Sequence, residues 1–283
     1  MAYTASKHSA RIRRPDQRSS WRAASGRPIP VTDDALEAWM WIPLIVGSIG
    51  VVMIVCELFY PGRTWPRVAG WWTRAALLNA FQVAIVFVAG VAWDRWLAAA
   101  RPWSADALGP TAGAVVGYLA ITFVYYWWHR WRHDNDLLWR WFHQVHHSPQ
   151  RIEIITSFYK HPFEIVANSL LSSAILYVGV GLSPEVAVYA VLLTGLAELF
   201  YHWNVPTPYW LGFVVQRPES HCIHHQEGVH SFNYADLPLW DMLFGTFRNP
   251  RRWRARCGFG EEEHRLAEML AGKDVNLPSE SAE

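Results

Sequence analysis

Charge is scarce in this chain. Only 17% of its 283 residues are Asp, Glu, Lys or Arg, against 52% that are hydrophobic, which is too few for the solvated surface of an ordinary soluble enzyme. Cysteine is scarcer still. Cys56, Cys222 and Cys257 form no CxxC pair and no disulfide framework, and they read as free thiols of a reducing compartment. No GxGxxG dinucleotide fingerprint is present. The His–Pro dipeptide His161–Pro162 runs into Phe163, not into the HPGG context of a fused cytochrome b5. Electrons for any redox chemistry are therefore expected from a separate protein. The net charge of +1 gives no polyanion-binding excess, and the basic residues flank apolar runs without a nucleic-acid motif, so no nucleic-acid partner is expected. The basic start is not followed directly by a short apolar core and a small-residue cleavage site, so it does not read as a secretory leader. Internal repeats and inter-domain linkers are also missing.

What the chain has instead is long uncharged runs. Residues 38–56, 75–93 and 107–128 each approach the roughly 20 residues that a bilayer-spanning helix needs. Residues 165–182 and 186–197 are joined by the turn signal GVGLSP, which predicts a helical hairpin returning to its starting side. Arg130, Arg132, Arg140, Arg151 and Lys160 follow the third run, and Arg248, Arg251, Arg252, Arg254 and Arg256 lie near the end, the bias of cytoplasmic loops. Three spans before that face put the N-terminus outside, although residues 1–35 are rich in Arg, Ser and Pro and read as a disordered basic tail. Residues 36–250 form the membrane domain, and 251–283 a polar C-terminal tail that loosens from about Lys273.

Histidine is patterned. His129 and His133 are four apart, while His143, His146, His147 and His221, His224, His225 each repeat an i, i+3, i+4 spacing. On a helix those offsets bring imidazoles to one face, where they can converge on zinc, iron, copper or nickel. A haem protein, which uses solitary axial histidines, fits this clustering poorly. A zinc-dependent transporter or hydrolase stays open beside a redox enzyme. The tryptophans, 18 in all and dense around these clusters, suit the headgroup level of a membrane.

The boxes HRWRH, HQVHH and HCIHH, with KHPFE at 160–164, HWN at 202–204 and PESHCIHHQEGVHSFNYADLPLWDMLFGTF at 218–247, resemble those of the fatty acid hydroxylase and sterol desaturase superfamily, in particular its bacterial sterol-desaturase-like branch. The resemblance implies an all-α integral membrane protein: a helical transmembrane stem with a cytoplasmic, histidine-rich dimetal cap, in the bacterial inner membrane. It implies two iron ions, with zinc possible as purified, and O₂ activated to hydroxylate or desaturate a lipid C–H bond. The electrons come from a ferredoxin, cytochrome or flavoprotein reductase. Carried over residue by residue, the metal ligands are His129, His133, His143, His146, His147, His202, His221, His224 and His225. Some relatives carry a further histidine where this chain has Glu198, so the resemblance offers Glu198 as a tenth ligand, with a salt bridge as the alternative. His161, His230 and Asn233 lie in family-like motifs and are expected to hold imidazole tautomers or line the site. The resemblance does not choose among sterol, hopanoid, fatty acyl, sphingoid, ether-lipid and aminolipid substrates.

Overall fold

Residues 33–276 are described by the computed structural model, and their regular elements are all helices, with no strand among them. Most of the expected basic tail, residues 1–32, and the extreme C-terminus lie outside the described residues. The uncharged runs all become helix: α1 (Asp33–Phe59), α2 (Trp71–Val91) with its short continuation α3 (Trp93–Ala99), and α4 (Gly109–Asp134). Two further helices, α5 (Asp136–Phe142) and α6 (Gln144–His147), turn back from the end of α4. The hairpin is α7 (Pro162–Ser173), prolonged by a π-type segment over Ala174–Val180, and α8 (Pro184–His202). Among the described residues, four segments are long and apolar enough to cross a membrane: Trp71–Ala99, Asp106–Asp134, Pro162–Val180 and Pro184–His202. The apolar stretch Leu44–Phe59 of α1 is shorter.

Local chemistry sets the ends. Proline stands in the first turn of α4, α7 and α8, where its missing N–H costs nothing and its fixed φ suits the helix. Asn135, extended between α4 and α5, breaks the first and caps the second by accepting the Leu138 N–H at 3.0 Å. The α7–α8 turn uses Gly181 at φ 78°, packed so closely on Trp103 that a Cβ would sit 2.4 Å from the indole.

The stem is built on α4 against α8. Gly113 and Gly117 face Leu182, Val186 and Ala190, and Ile121, Leu176 and Leu182 close a buried cluster there. Close approach through small residues is how helices associate where lipid supplies no hydrophobic drive. Outward side chains such as Leu77, Phe87, Val91 and Val115 remain exposed and apolar, as a lipid-facing surface requires.

Above the stem sit α5, α6, α9 (Pro218–His224), α10 (Pro238–Leu243) and the segment ending in α11 (Leu266–Leu270). This last part corrects two boundaries. Residues 33–35 belong to α1 rather than to a tail, and residues 251–276 are folded into the cap. The Gly258 N–H donates to the His225 carbonyl and the Phe259 N–H to that of Ser148, both at 3.1 Å. Phe259, Met269 and Val275 are buried with Trp71, Trp139 and Tyr159. Anchors this widely spaced leave no periodic trace, so composition alone showed a polar tail. Trp71 and Trp139 likewise serve the core and not the headgroup level, whereas Trp96, Trp103 and Trp131 are exposed.

Candidate metal centre

Helix ends deliver every boxed histidine to one place. His129 and His133 come from the last turns of α4, His202 ends α8, His143 sits between α5 and α6, His146 and His147 end α6, and His221, His224 and His225 close α9. Their ring nitrogens form two groups, each with ligand atoms within 4.8 Å of one another: His129, His133, His143, His147 and His224 in one, and His146, His202, His221 and His225 in the other. Each HxxHH box is thus split. Its i and i+4 imidazoles stay together while the i+3 imidazole crosses to the other group, and the His147 and His225 rings stack between the groups at 4.2 Å. A single α-helix does not produce this at the first box, because His143 leaves helical geometry at φ −150°.

The nitrogen inventory fits a cation. The Nδ1–H groups of His129, His224, His202 and His146 face the carbonyls of Tyr234 (2.6 Å), Phe232 (2.7 Å), Glu198 (2.9 Å) and Tyr159 (3.3 Å). A neutral imidazole that donates from Nδ1 has a lone pair on Nε2. Nε2 atoms then confront one another at 3.0 Å between His143 and His147, 3.1 Å between His202 and His221 and 3.0 Å between His221 and His225. His129, His133 and His224 have buried Nε2 atoms, and His225 a buried Nδ1, without a hydrogen-bond partner. Converging lone pairs and orphaned ring nitrogens are costly in a dry site and are satisfied by a positive ion. Burial also holds His143, His146, His147, His221 and His225 well below the usual histidine range and His224 at about 3, so these rings are neutral and able to ligate near neutral pH.

The remaining candidates separate. Glu198 is in neither group: its carboxylate pairs with Lys160, which approaches from the loop before α7. His161 is also elsewhere, capping α7 by accepting the Phe163 N–H at 3.0 Å, with Nε2 turned to the Leu270 carbonyl. His230 touches the centre, its Nδ1 3.2 Å from that of His147, and burial pushes it down to about 4. Asn233, at φ 48°, ties Ser220 to Arg248 through its amide and so fixes the helix bearing His221. His264 is exposed.

Two partners carried no expected role. Glu164 lies 3.3 Å from His143 Nδ1 and pairs with Arg132; its signal was a carboxylate at the head of an apolar run. Gln216 meets His221 Nδ1 at 3.0 Å, for which the sequence held no signal.

A cavity of about 470 Å³ opens beside the histidines. His129, His143, His146 and His221 line one part, and Ile54, Val86, Ile121, Leu176 and Leu199 line the apolar walls between α1, α2, α4, α7 and α8. Asp236 also lines it; burial and the Glu198 carboxylate push its carboxyl up to about 7, against the Tyr201 hydrogen bond.

The fatty acid hydroxylase family model matches residues 114–246, which contain all nine histidines. Curated relatives agree with it. A sphingolipid C4-hydroxylase of Schizosaccharomyces pombe is 30% identical over 44% of this chain and 44% of its own. The alkylglycerol monooxygenase of Homo sapiens is 29% identical over 55% and 34%, and an ornithine lipid hydroxylase of Rhizobium tropici 32% identical over 49% and 42%. The chain spans less than half the length of these relatives. No solved structure matches it.

Proposed function

We propose that the chain, whose residues 114–246 match the fatty acid hydroxylase family model, is a membrane-bound, non-haem di-iron oxygenase that hydroxylates or desaturates a C–H bond of a lipid. The observation that carries this reading is the two-group set of buried imidazoles opening onto an apolar cavity at the end of the membrane spans. His129, His133, His143, His147 and His224 would hold one ion, and His146, His202, His221 and His225 the other. Iron bound there would supply O₂ activation and hydrogen removal, with electrons from a separate ferredoxin, cytochrome or flavoprotein reductase.

The protein's own share is placement. The carbonyls of Tyr234, Phe232, Glu198 and Tyr159 fix ring orientation by accepting Nδ1–H, and Glu164 does the same for His143. Walls such as Ile121, Leu176 and Leu199 hold an alkyl segment against the imidazoles and keep bulk water from the reacting carbon. Position in that cavity, not the ligand set, decides between inserting oxygen and removing a second hydrogen.

The test takes one ligand from each group. His146→Ala and His224→Ala are each expected to lower iron content and to abolish O₂-dependent lipid oxidation, measured by metal analysis and product mass spectrometry on the purified protein with a reductant. Full iron occupancy with undiminished oxidation in both variants overturns the assignment.

A further inference from the structure

The cavity beside the histidines has a second polar end. Glu164, next to His143, lies near the start of α7, and Ser173 is nine positions further along the same helix, about 13 Å deeper by the 1.5 Å rise per residue. There the Ser173 hydroxyl meets the carboxylate of Asp94, at the start of α3. Both residues line the cavity, as do the apolar Ile121 and Leu176. Asp94 falls within the Trp71–Ala99 spanning segment, where a carboxylate is costly and marks function unless it is paired.

Asp94 is half-buried and accepts at most one side-chain hydrogen bond, from Ser173. Ser173 has one hydroxyl proton and two acceptors, the Asp94 carboxylate and the Ser169 carbonyl at 2.9 Å. No Lys or Arg among the described residues forms an ion pair with Asp94. The charges near the imidazoles are different: Arg132 is closed on Glu164 and Lys160 on Glu198. The cavity-lining carboxylate that is free of a cationic partner and has room for a further donor is therefore at the end of the cavity away from the metal centre.

Resting on the lipid-oxygenase reading, we propose that Asp94 is the remote anchor of the substrate. Its carboxylate accepts a hydrogen bond from a hydroxyl or ammonium group that the lipid carries at the end opposite to the carbon that reacts. Anchoring one end of an extended amphipath sets which carbon stands at the imidazoles, so Asp94 with Ser173 measures position along the lipid. An acyl chain with an apolar terminus leaves this carboxylate without its donor.

The experiment uses the metal-loaded protein in detergent with three probes of equal chain: 1-hexadecanol, hexadecylamine and hexadecyl methyl ether, the last an acceptor without a donor. Apparent affinity is read from the shift in thermal unfolding with probe concentration. The alcohol, the amine or both are expected to bind at least tenfold more tightly than the ether, as one hydrogen bond to a charged group implies. Asp94→Leu is expected to bring all three to the level of the ether, and Asp94→Asn to keep the alcohol while losing the amine. Preference for the alcohol alone identifies a hydroxylated lipid, and preference for the amine alone an aminolipid. Equal binding of all three probes by the wild type, or an unchanged preference in Asp94→Leu, overturns the anchor. Should the leucine variant fail to fold, the wild-type comparison and Asp94→Asn decide. Binding is read without turnover, so loss of the probe preference sinks the anchor alone, whereas failure to hold iron or oxidise lipid sinks the oxygenase reading alone.

Discussion

Imidazoles four apart remain on the same group while the one at i+3 crosses over, so each HxxHH box contributes to both halves of the centre. That division gives neighbouring carboxylates distinct jobs. Glu164 is fully buried against His143 and Arg132, whereas Glu198 is spent on Lys160. Glu164→Gln removes the anionic acceptor of His143 Nδ1–H and is expected to weaken metal binding about 10- to 100-fold, the usual effect of losing a partner of a ligating histidine. Glu198→Gln keeps its backbone carbonyl on His202 and is expected to leave metal content unchanged. Competitive chelator titration of the two variants checks the contrast; equal affinities would mean that Glu164 does not act through His143. Eight of the nine histidines stand in boxes whose spacing is local, while His202 was placed only by the family resemblance. Glu164, Gln216 and the choice of Lys160 as the partner of Glu198 were not legible, since each depends on a side chain from a distant segment.

At the scale of helices, the stem depends on two glycines one turn apart on α4. A Cβ on Gly117 would sit 2.8 Å from Leu182 Cδ1 and 3.0 Å from both Ala190 Cβ and Leu176 Cδ2, and one on Gly113 would sit 2.7 Å from Val186 Cγ1. Gly117→Val therefore forces α4 and α8 apart, and overpacking of this kind costs about 1–3 kcal/mol. The expected result is a lower unfolding temperature in detergent. Gly90→Ala, where no atom lies within 4 Å of the added Cβ, serves as the control. Equal melting of the two variants would show that the α4–α8 contact does not limit stability. The runs of uncharged residues revealed these helices because a lipid-facing helix is apolar all round. The short cap helices escaped because their anchors, Phe259 and Met269 among them, lie far apart in sequence and pack on α2 and α5 residues.

For the whole molecule, the paths of the helices fix which loops share a side. The loop between α1 and α2 lies at the cap, since the Gly62 N–H donates to the Asn204 carbonyl at 2.8 Å and Trp71 Nε1 to Glu153 at 2.6 Å. Trp103 lies at the opposite end, packed on Gly181 of the α7–α8 turn. Residues 66 and 150 therefore belong to one face and residue 104 to the other. The apolar stretch Leu44–Phe59 of α1 is about 24 Å long at 1.5 Å per residue, short of a hydrocarbon core of about 30 Å, so the side on which α1 begins is the open point of the topology. The cap face carries Arg63, Arg67, Arg140, Arg151 and the cluster from Arg248 to Arg256, a bias from which the positive-inside rule predicts a cytoplasmic face. Reporter fusions at 66 and 150 are expected to read inside, and fusions at 33 and 104 outside. An outside signal at 150 would overturn the cytoplasmic centre and with it a soluble cytoplasmic reductase as electron source. An inside signal at 33 would leave the centre where it is and make α1 an interfacial helix on the cap side.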